Sequence, residues 1–255
     1  MTYPCIKLTG DTSIAVVFGD EISRDIHTRI RAFDEALADE IAEGRIEGIY
    51  ETVPTYCSLM IHYAPEVIRY QALCEKVEKI LSVSREAAKL AETVMEIPVC
   101  YGGEYGPDLD YVASYHQMSP SEVIRIHTSA EYLIYMLGFT PGFSYMGGMD
   151  PSIATPRQKV PRVLIPAGSV GIAGGQTGIY PIDSPGGWQL IGRTPVRMYD
   201  AHRDVPILLD AGLHVKFFAV DEEEYKRIQT LVEAGKYQCR TYVKDAADGG
   251  GRHGD

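Results

Sequence analysis

The sequence predicts two domains: an α+β domain over residues 1–90 and a β-barrel, or another compact β-rich domain, over residues 91–240. In the first ninety residues, strand-like runs alternate with two amphipathic helical stretches. Further along, residues 138–198 contain 12 of the 25 glycines and 8 of the 15 prolines, which is too many for long helices. The length of 255 residues suits one large domain or two smaller ones.

The first domain is predicted to begin with a hairpin and a long helix. Cys5–Leu8 and Thr12–Phe18 are rich in β-branched residues, and Gly10-Asp11 between them is typical of a hairpin turn. In the following stretch, apolar residues recur every three or four positions on one helical face: Ile22, Ile26, Ile30, Phe33, Leu37 and Ile41. Gly44 is a suitable residue to end this helix.

Two further strands and a second helix complete the predicted ββαββα order. The strands are Glu47–Val53 and Tyr56–Tyr63. We expect Pro65 to open the second helix, because proline is favoured in a first helical turn. The apolar face predicted for this helix consists of Val67, Tyr70, Leu73 or Cys74, Val77 and Leu81. Two helices with one apolar face each can cover one face of a sheet, which gives a two-layer domain.

The second domain is predicted to consist of short strands and tight turns, because valine, isoleucine and tyrosine are interleaved with its glycines and prolines. Ser119, Pro120 and Glu122 form the N-terminal signature of one helix, which precedes the strand-like Ala130–Leu137. His214–Val220 is predicted to be a further strand, followed by a capped helix.

Two segments are assigned to neither core. Residues 84–95 are expected to form a helical linker or the last turn of the first domain. Residues 241–255 are expected to form a disordered tail, since the last eleven, DAADGGGRHGD, are polar and rich in glycine.

Composition argues against several classes of protein. The net charge of −11 is opposite in sign to that of a typical nucleic-acid-binding protein. No apolar run reaches the roughly 18–20 residues that span a membrane, and the N-terminus has no secretory signal pattern. The five cysteines form no CxxC pair and are expected to be free thiols in a reducing cytoplasm. The seven histidines are scattered, so no metal site is predicted.

Three segments of the second domain combine glycines with residues that can bind a small molecule. In residues 138–148, glycines alternate with aromatic residues that include Tyr145; these rings either wall a ligand or pack in the core. In residues 161–171, Arg162 is either an anion-binding group or a surface residue. Residues 175–195 are the densest in polar groups, and they contain Gln176, Tyr180, Ser184, Trp188 and Arg193.

His127 is the candidate for proton transfer, because the unperturbed pKa of a histidine side chain is about 6.5. It lies at the end of the helix that begins near Ser119, where a histidine can instead interact with the helix dipole. The sequence leaves both roles open.

Three long strings resemble the KipI/PxpB family, also called allophanate hydrolase subunit 1: LGFTPGFSYMGGMDP, PRVLIPAGSVGIAGGQTGIYP and SPGGWQLIGRTP. The resemblance extends from about Thr12 to Val220. It implies a small α/β domain followed by a cyclophilin-like β-barrel domain, in agreement with the division predicted from periodicity and composition.

The resemblance implies a function as the PxpB-type (B) subunit of an ATP-dependent 5-oxoprolinase. Such a protein acts with a PxpC (KipA-type) and a PxpA (LamB/YcsF-type) subunit to open 5-oxo-L-proline to L-glutamate. ATP with Mg²⁺ is then expected at the level of the complex, and no metal is expected in this chain. Two alternatives within the family are a carboxyltransferase-type subunit of a biotin-dependent urea or allophanate enzyme, and a non-catalytic histidine kinase inhibitor.

Within the 5-oxoprolinase hypothesis, the candidate residues take three kinds of role. Arg162 and Arg193 supply cations for the charge that develops on oxygen atoms, and His127 moves a proton. The residues expected to orient the amide and the carboxylate of the substrate, or to wall the pocket, are Gln176, Tyr180, Ser184, Tyr145 and Trp188. No self-contained ATP site is evident, which favours a catalytic surface that a partner completes.

Overall fold

The computed structural model describes residues 3–83 and 92–244 of the chain. They belong to two compact units, which are divided between residues 90 and 91. None of the described helices is both long and apolar enough to cross a lipid bilayer. All five cysteines are free thiols, as predicted.

The first unit contains four strands and two helices in the order ββαββα. The elements are β1 (Cys5–Leu8), β2 (Ser13–Val17), α1 (Arg24–Ala42), β3 (Ile49–Pro54), β4 (Ser58–Tyr63) and α2 (Tyr70–Val83). The strands form an antiparallel sheet in the order β1-β2-β4-β3. Gly44 follows α1 with a φ of +70°, a conformation that glycine adopts without strain, so this residue ends the helix as predicted.

The core of the first unit lies between the sheet and the two helices. Its residues from β2, α1, β4 and α2 include Ile14, Val16, Ile26, Ile30, Phe33, Leu37, Leu59, Ile61, Leu73, Val77 and Ile80. Three predicted members of the helix faces are exposed instead: Ile22, Val67 and Tyr70. Ile22 precedes α1, and Pro65 opens a turn rather than a helix, so that α2 begins only at Tyr70.

The second unit is built around a closed seven-stranded barrel, as the sequence predicts. Its elements are β5 (Thr93–Tyr101), α3 (Leu109–Tyr115), α4 (Pro120–Ser129), β6 (Glu131–Leu137), β7 (Ser144–Gly147), β8 (Arg162–Ile165), β9 (Ser169–Ala173), β10 (Gln176–Ile179), β11 (Ser184–Gly186), β12 (Gln189–Arg193), β13 (His214–Val220), α5 (Glu222–Glu233) and β14 (Thr241–Val243). A short 3-10 helix covers Pro151–Ile153. The barrel order is β12-β9-β10-β7-β6-β13-β5, and β5 pairs with β12 to close it.

The strand β5 closes the barrel by pairing with three neighbours. One edge lies parallel to β13 over most of its length, and the other edge pairs first with β14 and then with β12. Because Thr241–Val243 pair with Thr93–Met95, the predicted disordered tail of residues 241–255 starts too early. Residues 93–95 are likewise strand rather than helical linker. The rest of both predictions, residues 84–91 and 245–255, lies outside the described residues.

Alternation along the barrel strands separates an inner core from an outer cluster. The inner core includes Ile97, Val99, Ile134, Met146, Val170, Ile172, Ile179, Ile191, Val215 and Phe217. The outer cluster contains Phe143, Ile165, Ala173, Tyr180, Trp188 and Leu190, with Tyr145 packed against it. The strands β8 and β11 form a separate two-stranded ribbon, which contributes Ile165 to the outer cluster.

Candidate functional site

Four aromatic side chains form the centre of the candidate site on the outer side of the barrel. We call Phe143, Tyr145, Tyr180 and Trp188 the aromatic group. The ring of Phe143 lies edge-on to the other three rings, with centroid distances of 5.1 Å to Tyr145, 5.3 Å to Tyr180 and 5.5 Å to Trp188. Edge-to-face contacts of this kind hold aromatic rings in fixed orientations, so the group forms a rigid apolar wall.

Two arginines border the aromatic group. The Cζ atom of Arg157 lies 5.9 Å from the ring centroid of Trp188, and Nη1 of Arg162 donates a hydrogen bond to the carbonyl oxygen of Trp188 at 3.3 Å. Burial raises the pKa of Tyr180 to about 12, although both arginines act in the opposite direction. The hydroxyl of Tyr180 is therefore protonated at neutral pH and can serve as a hydrogen-bond donor.

Asp108 fixes the position of Arg162. Its Oδ1 atom accepts hydrogen bonds from Nη2 of Arg162 at 2.7 Å and from Nε2 of Gln158 at 3.2 Å. Its Oδ2 atom accepts one from the backbone N–H of Leu190 at 2.6 Å. Asp108 occupies the N-cap position of α3, but its side chain forms no capping hydrogen bond there. The carboxylate instead ties the loop before α3 to β8 and β12.

Three residues at this site were not predicted from the sequence: Asp108, Arg157 and Gln189. Gln189 is buried, and its Nε2 atom donates to the carbonyl oxygen of Pro156 at 2.8 Å, which anchors the segment that carries Arg157. The one available signal was Asp108 in front of an apolar stretch, which is typical of a helix N-cap. That signal points to α3 and not to Arg162, 54 positions later.

Ser184 and Gln176 lie at the ends of short strands. Ser184 begins β11, pairs with Ile165 of β8, and donates a hydrogen bond from Oγ to the carbonyl oxygen of Ile182 at 3.2 Å. Gln176 begins β10 opposite Ala173, about 13 Å along the strand from Tyr180 at roughly 3.3 Å per residue. Ser184 is thus part of the ribbon beside the aromatic group, whereas Gln176 lies at the far end of its strand.

His127 lies inside the barrel and is fully buried. Its ring stacks on Phe217 at a centroid distance of 4.7 Å. The hydroxyl of Thr177 donates to the carbonyl oxygen of Gly171 at 3.0 Å, so it accepts the N–H of His127 Nε2 at 2.9 Å. The Nδ1 atom then accepts from the hydroxyl of Tyr101 at 2.8 Å. Burial lowers the pKa of His127 to about 3, and the imidazole is neutral at physiological pH.

Arg193 lies on the outer side of the barrel wall, in a different environment from Arg162. Its Cζ atom is 5.9 Å from the ring centroid of Tyr105, which packs with Cys100 and Tyr225. The Nε atom of Arg193 is buried without a hydrogen-bond partner. Between residues 92 and 244, no described carboxylate forms an ion pair with this guanidinium.

The predicted convergence of site residues is therefore partial. Tyr145, Tyr180, Trp188 and Arg162 come together in one place, with Ser184 on the adjoining ribbon. None of the described contacts joins His127 or Arg193 to them, because the imidazole faces the barrel interior and the second arginine lies against Tyr105. The contacts of His127 favour a structural role over proton transfer.

The arrangement is suited to binding a small, flat, anionic molecule. Aromatic rings offer an apolar wall, and the two arginines offer fixed positive charge beside it. Within residues 3–83 and 92–244, no three histidine, cysteine or acidic side chains come together as a metal site would require. One surface depression, bordered by Arg203, Val205 and Leu208, lies between β12 and β13 and includes none of the predicted site residues.

A family model described as the carboxyltransferase domain, subdomains C and D, matches residues 4–209. The chain belongs to this family. Among curated proteins, the 5-oxoprolinase B subunit of Bacillus subtilis (strain 168) is 44% identical over 230 residues, which cover 86% of this chain and 94% of that protein. The protein of the same name from Escherichia coli O157:H7 is 39% identical, with 82% and 93% covered. These matches confirm the resemblance carried by the three glycine-rich strings.

More distant relatives are parts of larger proteins. A putative urea carboxylase of Emericella nidulans is 28% identical over 61% of this chain and 13% of that protein. The solved structure of TTHA0988 has a TM-score of 0.72 and 35% identity; the chain spans about two fifths (40%) of its length. The urea amidolyase of K. lactis shares the fold, with a TM-score of 0.76 at 22% identity over 94% of this chain and 16% of that one.

Proposed function

We propose that this chain is the B subunit of a 5-oxoprolinase, a hydrolase complex that opens the cyclic amide of 5-oxo-L-proline to give L-glutamate. The observation that carries the proposal is the 44% identity to the B subunit of a 5-oxoprolinase over 94% of that protein's length. The urea carboxylase and urea amidolyase relatives are more distant, and this chain covers at most 16% of those described above.

The aromatic group and its arginines are the proposed substrate-binding residues of this subunit. A five-membered lactam is flat and apolar on its faces, so Tyr145 and Trp188 are suited to wall it. Arg162 is suited to hold a carboxylate or the charge that develops on the lactam oxygen, and Tyr180 can donate a hydrogen bond to the same atoms. Ser184 is proposed to help orient the substrate from the ribbon.

Three of the predicted site residues fit this proposal less well. His127 is enclosed by the barrel core, Arg193 lies against Tyr105, and Gln176 begins β10 far from Tyr180. We keep a catalytic role for His127 and Arg193, and a substrate-binding role for Gln176, as predictions that alanine variants of each residue test in the reconstituted complex. The cyclophilin-like class of the barrel is likewise part of the proposal.

ATP and the other subunits belong to the proposed complex. ATP with Mg²⁺ would supply the phosphoryl group that makes the lactam oxygen a leaving group, since ring opening is uphill without such coupling. The companions are proposed to be a PxpC (KipA-type) and a PxpA (LamB/YcsF-type) subunit, in the cytoplasm. The relatives are named as one lettered subunit of 5-oxoprolinase, which supports a multisubunit enzyme.

A carboxyltransferase-type subunit of a biotin-dependent urea or allophanate enzyme is the second candidate. The family model and the urea carboxylase relative support it. Its substrate is also amide-like, so the same cations and aromatic wall would serve it. The two candidates differ in the reaction product: free glutamate in one case and a carboxylated urea in the other.

Reconstitution distinguishes the candidates. This chain is mixed with the two companion subunits, ATP, Mg²⁺ and 5-oxoproline, and glutamate release is followed; parallel mixtures omit one protein each. The proposal predicts glutamate only when this chain is present. Glutamate release that is independent of the chain would overturn it, and carboxylation of urea with a biotin carboxylase subunit would support the second candidate.

A further inference from the structure

The ribbon of β8 and β11 exposes neighbouring apolar side chains. Val163 is 91% exposed, Leu164 is 60% exposed, and Val160 just before the strand is 78% exposed. We call these three residues the ribbon patch. Adjacent residues of a strand point to opposite faces, so Val163 and Leu164 leave both faces of this part of the ribbon uncovered. A two-stranded ribbon is marginally stable without covering contacts, and contiguous exposed apolar residues mark interaction surfaces.

The ribbon patch has a positively charged border on an otherwise acidic molecule. Residues 156–166 contain Arg157, Lys159 and Arg162 and no acidic residue, whereas the whole chain has a net charge of −11. Arg162 is paired with Asp108. In the part of the chain that the structure describes, Arg157 and Lys159 form no ion pair, so their charges are available to a partner.

The charge of this border selects the kind of partner. Two copies of this chain that met through the ribbon patch would bring the same basic border against itself, since a two-fold interface uses one surface twice. Like charges across an interface are costly, so self-association is disfavoured. A partner with an apolar surface bordered by carboxylates fits both the apolar and the charged features.

We infer that the ribbon patch is the docking surface for a companion subunit of the proposed complex, with an apolar facing surface and acidic residues at its edge. The inference rests on the proposed function, because the companion is a subunit of that enzyme. The lettered-subunit name of the relatives and the longer chain of TTHA0988, of which this chain spans 40%, are consistent with such a companion.

Docking at the ribbon patch places the companion next to the candidate site. Arg157 borders the patch and also lies over the ring of Trp188, while Arg162 borders it and contacts the carbonyl of the same residue. A subunit seated here would exclude water from the two guanidiniums and from the aromatic group. Their electrostatic interactions with a bound anion are stronger when water is excluded.

The test compares two variants of the full chain for binding to the purified companion subunits. Val163→Glu/Leu164→Glu introduces two carboxylates into the patch. We expect at least about tenfold weaker binding, as for the loss of one central interface contact. Val243→Glu is the matched control, since Val243 is a strand valine with 59% exposure on β14; it is expected to bind like the wild type. Dissociation constants come from biolayer interferometry, and oligomeric state comes from sedimentation.

The outcomes separate this inference from the proposed function. Wild-type affinity in the double variant would overturn the inference and leave the proposed function intact. A wild-type dimer that the double variant abolishes would also overturn it, because the occupant would then be a second copy. Loss of binding in the double variant alone would support it, even where the wild-type complex released no glutamate and the proposed function failed.

Discussion

Asp108 holds three groups that come from distant parts of the chain: the guanidinium of Arg162, the amide of Gln158 and the backbone N–H of Leu190. Asp108 and Leu190 are both buried, so the hydrogen bond between them is shielded from solvent. Removing a carboxylate from such a network leaves donors without partners, which costs far more than the loss of an exposed ion pair.

Asp108→Ala is therefore expected to lower the free energy of unfolding by about 2–3 kcal/mol. Trp188 is the one tryptophan in the chain and lies in the affected cluster, so its fluorescence in a denaturant titration reports this unit. Asp110→Ala is the control; this exposed residue of the same helix is expected to cost at most about 0.5 kcal/mol. Equal stabilities of the two variants would refute the role of Asp108.

His127 gives the second unit a specific dependence of stability on pH. Its pKa is lowered to about 3 in the folded chain, against about 6.5 when unfolded. As the pH falls below 6.5, the unfolded chain takes up a proton that the folded chain does not, so stability is lost. This histidine alone is expected to reduce the free energy of unfolding by about 2 kcal/mol between pH 7 and pH 5.

The measurement compares His127→Gln with the wild type, again through Trp188 fluorescence. The variant is expected to be less stable at pH 7, and its deficit is expected to shrink by about 2 kcal/mol at pH 5 because the titrating group is gone. His202→Gln, which changes an exposed loop residue, should follow the wild-type curve. A constant deficit for His127→Gln across this range would show that the imidazole is not held neutral by burial.

Single residues were predictable where residue type alone carries the information. Arg162, Tyr180 and Trp188 were chosen as an unusual cation and aromatics in a glycine-rich stretch, and the structure brings them together. His127 was chosen for its pKa range, which is a property of the free side chain and not of a barrel interior. Asp108 could not be chosen, because its partner lies 54 residues away in sequence.

At the level of elements, the loop that precedes α3 lies directly against β12. A Cβ atom added to Gly106 would lie 2.0 Å from the carbonyl oxygen of Ile191 and 2.7 Å from the backbone nitrogen of Gly192. Both are backbone atoms of a paired strand and cannot move independently. This close approach is what allows Asp108, two residues later, to reach the N–H of Leu190.

Gly106→Ala is expected to separate the loop from β12 and to cost at least about 2–3 kcal/mol in unfolding free energy. Gly175→Ala serves as the control, because a Cβ there would have no neighbour within 4 Å; its effect should stay within about 0.5 kcal/mol. Thermal unfolding followed by Trp188 fluorescence gives both values. A variant Gly106→Ala as stable as Gly175→Ala would mean that the loop does not press on the strand.

Elements with local signals were predicted well, and those that depend on distant pairing were not. Ser119 accepts a hydrogen bond from Glu122 N–H at the start of α4, and Asp221 accepts one from Glu224 N–H at the start of α5, as their spacing predicts. By contrast, β14 contains only Thr241–Val243, and it forms a strand because Thr93–Met95 offer an edge. Nothing within those three residues indicates that edge.

At the scale of the whole molecule, closure of the barrel decides which predicted site residues can act together. The density of glycine and proline predicts short strands and a closed β structure, and seven strands do close. It does not predict which side of the wall each side chain faces. A shift of one position moves a residue between the core and the outer surface, and this separates His127 and Thr177 from Tyr180 and Trp188.

The most direct test of the proposed site measures glutamate release from 5-oxoproline by the reconstituted complex containing Arg162→Ala. If the arginine beside the aromatic group stabilises charge on the substrate, turnover should fall at least about 100-fold. Arg125→Ala, which removes an exposed arginine paired with Glu122 on α4, should leave turnover unchanged. Full turnover by a correctly folded Arg162→Ala variant would contradict the assignment of this site.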